Sequence, residues 1–437
     1  MKHVDFFYDI ACPYAYLAHD RVDAACARHG ATVTWRPFLL GGVFRAIGTP
    51  DRPGDHMPPS KARMNLLDMH RWAAFHGVPF RMPETHPNRT VLALRAALAS
   101  GDLVRASEAL FAAYWAEGLD LSRPETVRAA LDRAGFDGAA LVAKAEDPAV
   151  KDALRRATDE AIAAGVFGAP AFVVTIRDEP GRTDASELFW GQDRLALVED
   201  LLAGTSAGTT PAAPSASAAA FAADGAPGEQ RDPAAPQNLE FWFDFSSPFA
   251  YLAAARVQEV ARRAGVDLAY RPFLLGGLFQ AIGTPNVPLF EMPEPKKRHA
   301  VADMFRWAAR FGVPFAFPTR FPMSTVKALR MVLALPDEQR APLVNAVYRA
   351  YWAEDRDIAD SAVLAEIANG VGLDGPALAA RTGEDALKRA LRDATEEAAR
   401  RGVFGAPSFF AGDLLFWGQD RLDLVEKALT GWRPPLE

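Results

Sequence analysis

The amino-acid sequence predicts an α/β protein in which one domain occurs twice, at 1–203 and at 238–437. The first observation is a close internal repeat, because 35–50 and 270–285 are identical at thirteen of sixteen positions. The second is that four further motifs recur in the same order, at 71–72 and 306–307, 114–117 and 351–354, 165–170 and 402–407, and 189–194 and 416–421. The third is a shared order of strand and helix patterns. Self-similarity of this extent indicates a tandem duplication.

Each copy begins with a strand, a helix and a second strand. Short apolar segments at 4–8 and 239–243 predict the first strand. A turn containing proline follows, and then a helical pattern that runs through Tyr16, Leu17 and Val22 in the first copy. A second apolar segment ends in Trp35-Arg36-Pro37. Such a β-α-β unit favours parallel strands joined by a right-handed crossover.

A helical insertion separates this start from the end of each copy. At 61–164 and 296–401 the apolar residues recur at helical spacing. Two strands and a final helix come next, at 171–176, 187–190 and from Gln192 in the first copy, and at 408–411, 414–417 and from Gln419 in the second. This β-α-β and β-β-α layout around a helical insertion predicts two tandem thioredoxin-like domains. Pro170 and Pro407 then precede the third strand, where that fold usually carries a cis proline.

Composition limits the classes of partner and the compartment. The segment 204–237 is rich in Ala, Pro, Ser, Gly and Thr and predicts a flexible linker. No apolar run is long enough for a membrane span, and the N-terminus lacks a secretory signal pattern. Two cysteines in 437 residues suit a reducing compartment, so the expected location is the cytoplasm. A net charge of −7 without a basic run argues against nucleic acid as a partner.

Five ordered motifs of the second copy carry a family resemblance. They are Asp244-Phe-Ser-Ser-Pro-Phe-Ala-Tyr-Leu252, Arg271-Pro272, 281–286, 402–407 and 417–421. Together they resemble the 2-hydroxychromene-2-carboxylate isomerases, which are relatives of kappa-class glutathione transferases and DsbA-type oxidoreductases. The resemblance implies glutathione as the cofactor and a small aromatic substrate that isomerises through reversible addition of the thiol. It implies no metal.

The resemblance assigns the reacting position to Ser247 in the second copy and to Cys12 in the first. Ser247 precedes Pro248 at the start of a helix, where it would donate a hydrogen bond to the glutathione sulfur; on spacing alone it is an ordinary N-cap serine. A cysteine at a helix N-terminus is expected to have a lowered pKa. Cys12 would act as a monothiol or replace serine as a weaker donor. Cys26 lies too far along the same helix for a disulfide and is expected in the core.

The resemblance also implies a set of glutathione-binding residues in each copy. In the second copy they are Asn286, Lys296, Ala406, Pro407, Gln419 and Asp420, and in the first they are Asp51, Lys61, Ala169, Pro170, Gln192 and Asp193. Without the resemblance, the prolines read equally as turn residues and the aspartates as residues that compensate the helix dipole. Asp51 adds a carboxylate near a ligand that carries two, so the second copy is expected to bind glutathione better.

Three functions follow as hypotheses. The leading one is a glutathione-dependent isomerase that uses Ser247. The second is a thiol-disulfide oxidoreductase or a kappa-type glutathione transferase that uses Cys12. The third makes the first copy a non-catalytic partner of the second. Family members commonly form homodimers, so the two copies are expected to pair within one chain as an intramolecular pseudo-dimer. The eight histidines do not recur at matched positions, so they predict neither a shared base nor a metal cluster.

Overall fold

Each copy is built around a four-stranded mixed sheet. The computed structural model describes residues 1–50, 53–177, 185–204 and 235–434. The strand order is β2-β1-β3-β4 in the first sheet and β6-β5-β7-β8 in the second. The strands are β1 (Lys2–Tyr8), β2 (Thr32–Pro37), β3 (Ala171–Ile176), β4 (Ala185–Trp190), β5 (Asn238–Phe243), β6 (Asp267–Pro272), β7 (Ser408–Ala411) and β8 (Leu414–Trp417). The predicted α/β class is confirmed.

The pairing of the strands follows the predicted crossover. β1 is parallel to β2, with Phe6 opposite Trp35, and antiparallel to β3, with Phe6 opposite Phe172. The second sheet repeats this pattern, with Phe241 opposite both Tyr270 and Phe409. Alternate residues of the central strand are thus large aromatic groups on one face, and they pack into the core under the helices.

Along the chain, the helical insertions come between β2 and β3 and between β6 and β7, as the sequence predicts. The first copy contains α1 (Pro13–Ala27), α2 (Leu40–Ala46), α3 (Pro59–His76), α4 (Val91–Ala99), α5 (Leu103–Phe111), α6 (Pro124–Arg133), α7 (Gly138–Lys144), α8 (Pro148–Ala163) and α9 (Leu195–Leu202). The second contains α10 (Pro248–Ala264), α11 (Leu275–Ile282), α12 (Glu294–Phe311), α13 (Val326–Leu333), α14 (Asp337–Trp352), α15 (Ser361–Gly370), α16 (Gly375–Arg381), α17 (Asp385–Arg400) and α18 (Leu422–Leu429).

The peptide bonds before Pro170 and Pro407 are cis, as expected for the turn before the third strand. Two further cis bonds, before Pro87 and Pro322, were not predicted. None of the helices within the described ranges has the length and apolar character needed to cross a bilayer. The greater part of the predicted linker, 205–234, lies outside the described residues.

The long helix of each copy lies against the last strand of the other copy. Arg306 on α12 donates a hydrogen bond to the Leu188 carbonyl on β4, at 2.9 Å. Arg71 on α3 donates in the same way to the Leu415 carbonyl on β8, at 2.5 Å. Their guanidinium groups lie over aromatic rings of those strands, Phe189 and Phe416 respectively. The two copies are therefore related by an approximate two-fold axis.

Candidate active site

Ser247 lies at the N-terminus of α10, directly after the turn that follows β5. Its backbone is extended (φ −96°, ψ 115°), and its Oγ accepts a hydrogen bond from the Ala250 N–H at 3.2 Å, which makes it the N-cap. The hydroxyl donates to the Ala406 carbonyl, the residue before the cis proline, at 2.8 Å. The side chain is buried. One hydroxyl thus joins the start of the first helix to the cis-proline loop.

Cys12 occupies the equivalent place in the first copy but makes different contacts. Its thiol donates to the Ala169 carbonyl at 3.0 Å, and it makes no side-chain cap bond to α1. Burial raises the pKa of the Cys12 thiol to about 12, because the desolvation of a thiolate outweighs the stabilising N–H groups of Ala15 and Tyr14. The expectation of a lowered pKa was therefore wrong. At this enclosed thiol the cost of desolvating the thiolate exceeds the stabilisation that the helix N-terminus provides.

A buried aspartate fixes the turn beside Ser247, and another fixes the turn beside Cys12. Asp244 accepts hydrogen bonds from the Leu275 N–H at 2.7 Å and from the Thr325 hydroxyl at 2.7 Å, as well as from the Ser246 N–H. Burial raises the pKa of this carboxyl, while those donors oppose the rise. Asp9 makes the matching bonds in the first copy, to Thr90 among others.

This aspartate is a site residue that was not predicted. The available signal was the repeat itself, since an aspartate three residues before Ser247 and before Cys12 is matched by a threonine 81 residues further on in both copies. The aspartate ties the Ser247 turn to α11 and α13, and so it fixes the position of the serine.

The Gln-Asp turn that precedes the last helix lies beside the cis-proline loop. The Gly418 N–H donates to the Pro407 carbonyl at 3.1 Å, and the matching bond in the first copy joins Gly191 to Pro170 at 3.0 Å. Gln419 is buried, and its Nε2 has no hydrogen-bond partner in the described part of the chain. Gln192 is also buried, and its Nε2 likewise has no hydrogen-bond partner in that part of the chain, although its Oε1 accepts from Arg21 at 2.5 Å.

The aspartates of these turns belong to an ion cluster between the copies. The two arginines are held by carboxylates of both copies, in the pairs Arg194–Asp303 (2.8 Å), Arg194–Asp420 (2.5 Å), Arg421–Asp68 (2.8 Å) and Arg421–Asp193 (2.6 Å). Burial would raise the pKa of Asp193, but the guanidinium groups outweigh it and hold that pKa below its usual range. The cluster contains residues that are equivalent in the two copies: Arg194 and Arg421, Asp193 and Asp420, and Asp68 and Asp303.

The two predicted binding lysines lie at the boundary between the copies. Lys296 Nζ lies 5.2 Å from the ring centroid of Trp190 in the other copy, and Lys61 Nζ lies 5.8 Å from that of Trp417. Burial lowers the pKa of both lysines. Asn286 is exposed, with its Oδ1 close to Gly276 on α11. Asp51 lies outside the described residues.

The two tryptophans are part of the cis-proline loops. A Cβ on Gly405 would lie 2.6 Å from Trp417 Nε1, and one on Gly168 would lie 2.5 Å from Trp190 Nε1. Only glycine allows so close an approach of the indole to the loop. Each lysine is therefore placed next to the cis-proline loop of the opposite copy.

A cavity of about 180 Å³ lies between the copies, and its lining includes Trp72, Trp307, Gln192 and Gln419. The lining includes neither Ser247 nor Cys12. Trp115 and Trp352 are fully buried, and Cys26 is a buried free thiol, as predicted. Across the described ranges, no group of three or more His, Cys, Asp or Glu side chains is placed to hold a metal ion.

The strand order, the helical insertion and the cis proline facing a helix N-terminus define a thioredoxin-like domain, present twice. The chain belongs to the DSBA-like thioredoxin domain family, whose model matches residues 3–203 and 238–430.

Individual relatives match one copy at a time. A 2-hydroxychromene-2-carboxylate isomerase of Sphingobium xenophagum is 37% identical over 193 residues, covering 44% of this chain and 98% of that relative. Glutathione S-transferase kappa 2 of Caenorhabditis elegans is 30% identical over 216 residues, covering 46% of this chain and 92% of the relative. A solved structure of a 2-hydroxychromene-2-carboxylate isomerase is 29% identical, covers 44% of this chain and 94% of its own, and has a TM-score of 0.41.

Proposed function

We propose that this protein is a glutathione-dependent isomerase of the 2-hydroxychromene-2-carboxylate type, and that its second copy, 238–437, carries the reaction. The observation that carries the proposal is the position of the Ser247 hydroxyl, at a helix N-terminus and 2.8 Å from the carbonyl before the cis proline. The similarity to named isomerases at 30–37% identity supports the reaction class.

The residues present fit a glutathione-like ligand. Ser247 Oγ and the Ala406 carbonyl form a donor and an acceptor side by side, and the buried Gln419 Nε2 is a donor without a partner in the described chain. An unpaired buried donor is costly, and a ligand acceptor would relieve that cost. We propose that these three residues, with Asn286 on the loop after α11, hold the tripeptide. When bound, glutathione supplies the thiol that adds reversibly to the unsaturated substrate.

Ser247 can stabilise an anion without moving its backbone. Rotation about its Cβ–Oγ bond redirects the O–H from the Ala406 carbonyl toward a sulfur placed beside the helix N-terminus, while Oγ still accepts the Ala250 N–H. The Ala406 carbonyl is then free to accept an N–H from the ligand. A hydroxyl donor and the N-terminal dipole both favour the ionised form of a thiol, and they thereby lower its pKa.

The first copy, 1–203, is less suited to this role, because the Cys12 thiol is a weaker hydrogen-bond donor than the Ser247 hydroxyl. Nor does Cys12 readily supply a thiolate of its own. A pKa of about 12 leaves about one Cys12 thiol in 10⁵ ionised near neutral pH. We therefore propose that the first copy is a structural partner, and that the ion cluster and the helix-to-strand contacts hold both copies as a pseudo-dimer within one chain. The contacts of Arg194 with Asp303 and Asp420 support this pairing.

Turnover of 2-hydroxychromene-2-carboxylate with and without glutathione tests the proposal. Ser247→Ala removes a hydrogen bond to a charged group, so we expect kcat to fall about 10- to 100-fold. Cys12→Ala serves as the matched variant, and it should leave kcat unchanged. Equal rates with and without glutathione, or a loss of activity in Cys12→Ala alone, would refute the assignment. Calorimetry should show one glutathione site per chain that depends on Ser247.

A further inference from the structure

A continuous set of aromatic rings extends from the Ser247 turn to the surface of the second copy. We name Phe290, Phe317, Phe321 and Trp352 the aromatic stripe. Trp352 Nε1 donates to the Phe245 carbonyl, two residues before Ser247, at 2.8 Å. The ring centroid of Phe321 lies 5.9 Å from that of Trp352, 5.2 Å from that of Phe317 and 6.1 Å from that of Phe290.

The outer end of the stripe is exposed, and it lies on the loop that carries a proposed glutathione residue. Phe290 is 54% exposed, more than any other large apolar side chain of the described residues except Met1. It follows Asn286 by four residues, in the short helical turn Pro288–Glu291. The stripe therefore joins two parts of the proposed site, the Ser247 turn and the Asn286 loop, and it leaves an aromatic surface uncovered there.

The first copy keeps the buried anchor of this stripe and changes the rest. Trp115 donates to the Ile10 carbonyl at 2.7 Å, as Trp352 does to Phe245. The residues that align with Phe290, Phe317 and Phe321 at the repeat offset are Asp55, Met82 and His86. Asp55 is exposed, and His86 Nδ1 is hydrogen-bonded to the Tyr114 hydroxyl at 2.9 Å. A carboxylate and an imidazole thus replace two phenyl rings.

We propose that the aromatic stripe is the subsite for the ring of an aromatic carboxylate substrate, and that Phe290 and Phe321 determine this specificity. The inference rests on the proposed function, in which Ser247 marks the reacting centre. Offset stacking and edge-to-face contacts favour a flat ring beside phenyl groups. The first copy rejects the same ligand, because the Asp55 carboxylate repels a carboxylate and offers no ring surface.

The first copy supplies the test substitutions. Phe290→Asp and Phe321→His each introduce the residue that the same fold carries at the equivalent position, so both variants are expected to fold. With 2-hydroxychromene-2-carboxylate and saturating glutathione, we expect kcat/KM to fall about 10- to 100-fold, mainly through KM. Glutathione affinity, measured by calorimetry, should be unchanged, which separates a ring subsite from a general loss of the site.

Phe305→His is the matched control, because it copies His70 in the same way. Phe305 is 43% exposed. It lies nine residues, or about two and a half turns, after Lys296 on α12, so the two side chains are on opposite faces of that helix. Its ring contacts Phe315 rather than Phe290 or Phe321. This control should leave kcat/KM within about twofold of the wild type.

A second measurement keeps the stripe testable if the isomerase assignment fails. Binding of 2-naphthoate to the glutathione-loaded protein can be followed by titration without any turnover. We expect binding to the wild type and at least tenfold weaker binding to Phe290→Asp. Wild-type turnover with an unchanged kcat/KM in Phe290→Asp would overturn the stripe proposal alone. If the wild type shows no turnover but binds naphthoate more tightly than the variants do, the isomerase assignment alone would be overturned. If Phe290→Asp and Phe321→His both bind naphthoate as tightly as the wild type, the stripe proposal would be overturned.

Discussion

His299 is the one histidine of the second copy, and the structure makes it a pH-sensitive part of the contact between the copies. Its Nε2 accepts a hydrogen bond from the Trp190 N–H at 3.0 Å, and its ring packs on Phe167. A nitrogen that accepts this bond cannot carry a proton. Burial, with the nearby charges of Arg194 and Arg306, lowers the pKa of His299 from 6.5 to about 3.

The sign of the pH effect follows from this lowered pKa. A base whose folded pKa is depressed stabilises the fold above its unfolded pKa, and that contribution is lost as the pH falls toward the folded value. Between pH 7.5 and pH 5 the unfolded imidazole takes up a proton that the folded one does not. The cost is about 2 kcal/mol in the free energy of unfolding, at about 1.4 kcal/mol per pH unit over about 1.5 units.

His299→Met tests this reasoning, because Met64 holds the equivalent position in the first copy. At pH 7.5 the variant should be less stable by about 1 kcal/mol, since the Trp190 N–H loses its acceptor. By pH 5 the wild type should have lost about 2 kcal/mol more than the variant, so that the two urea unfolding curves cross. A His299 imidazole that titrates near pH 6.5 in NMR spectra of the folded protein, or parallel pH dependence in both proteins, would refute the prediction.

Two further predictions concern the first copy and the ion cluster. Alkylation of Cys12 by iodoacetamide, followed by mass spectrometry, should still accelerate about tenfold per pH unit between pH 8 and pH 10, because the pKa of the thiol is about 12; a plateau near pH 9 would contradict this. Asp68→Asn should lower the free energy of unfolding by about 3 kcal/mol, because it leaves Arg421 short of a buried carboxylate. The exposed Asp385→Asn, which faces Lys388, should change little in the same urea experiment and serves as the control.

The sequence predicts the fold of each copy because the repeat supplies two independent versions of one pattern. Strand and helix periodicity appear in both, so a weak signal in one is supported by the other. The short strands β7 and β8 have four residues each and yet pair as their counterparts do. The cis bonds before Pro170 and Pro407 were expected from their position before the third strand. Those before Pro87 and Pro322 had no comparable signal, because they lie inside the helical insertion.

The environment of a site residue is harder to predict than its position. Cys12 was placed correctly at the start of α1, but its pKa depends on how completely the surrounding helices enclose it, and this is a property of the whole fold. The same limit applies to Lys61 and Lys296. Their part in glutathione binding stays a prediction, and the structure adds a contact of each with a tryptophan of the other copy. Contacts across the pseudo-two-fold axis join residues that no spacing within one copy relates.

Duplication within one chain changes what a symmetric interface can become. In a homodimer every substitution appears twice, once on each side of the two-fold axis. In this chain the residues on the axis remain symmetric, because Arg194 and Arg421 each bind carboxylates from both copies. A change in one copy would leave charges of the other copy unpaired. Away from the axis that constraint is absent. Cys12 and Ser247 occupy equivalent positions in the two copies, and so do Asp55 and Phe290. Fusion therefore allows one copy to keep the pairing surface while its reacting position and substrate surface diverge.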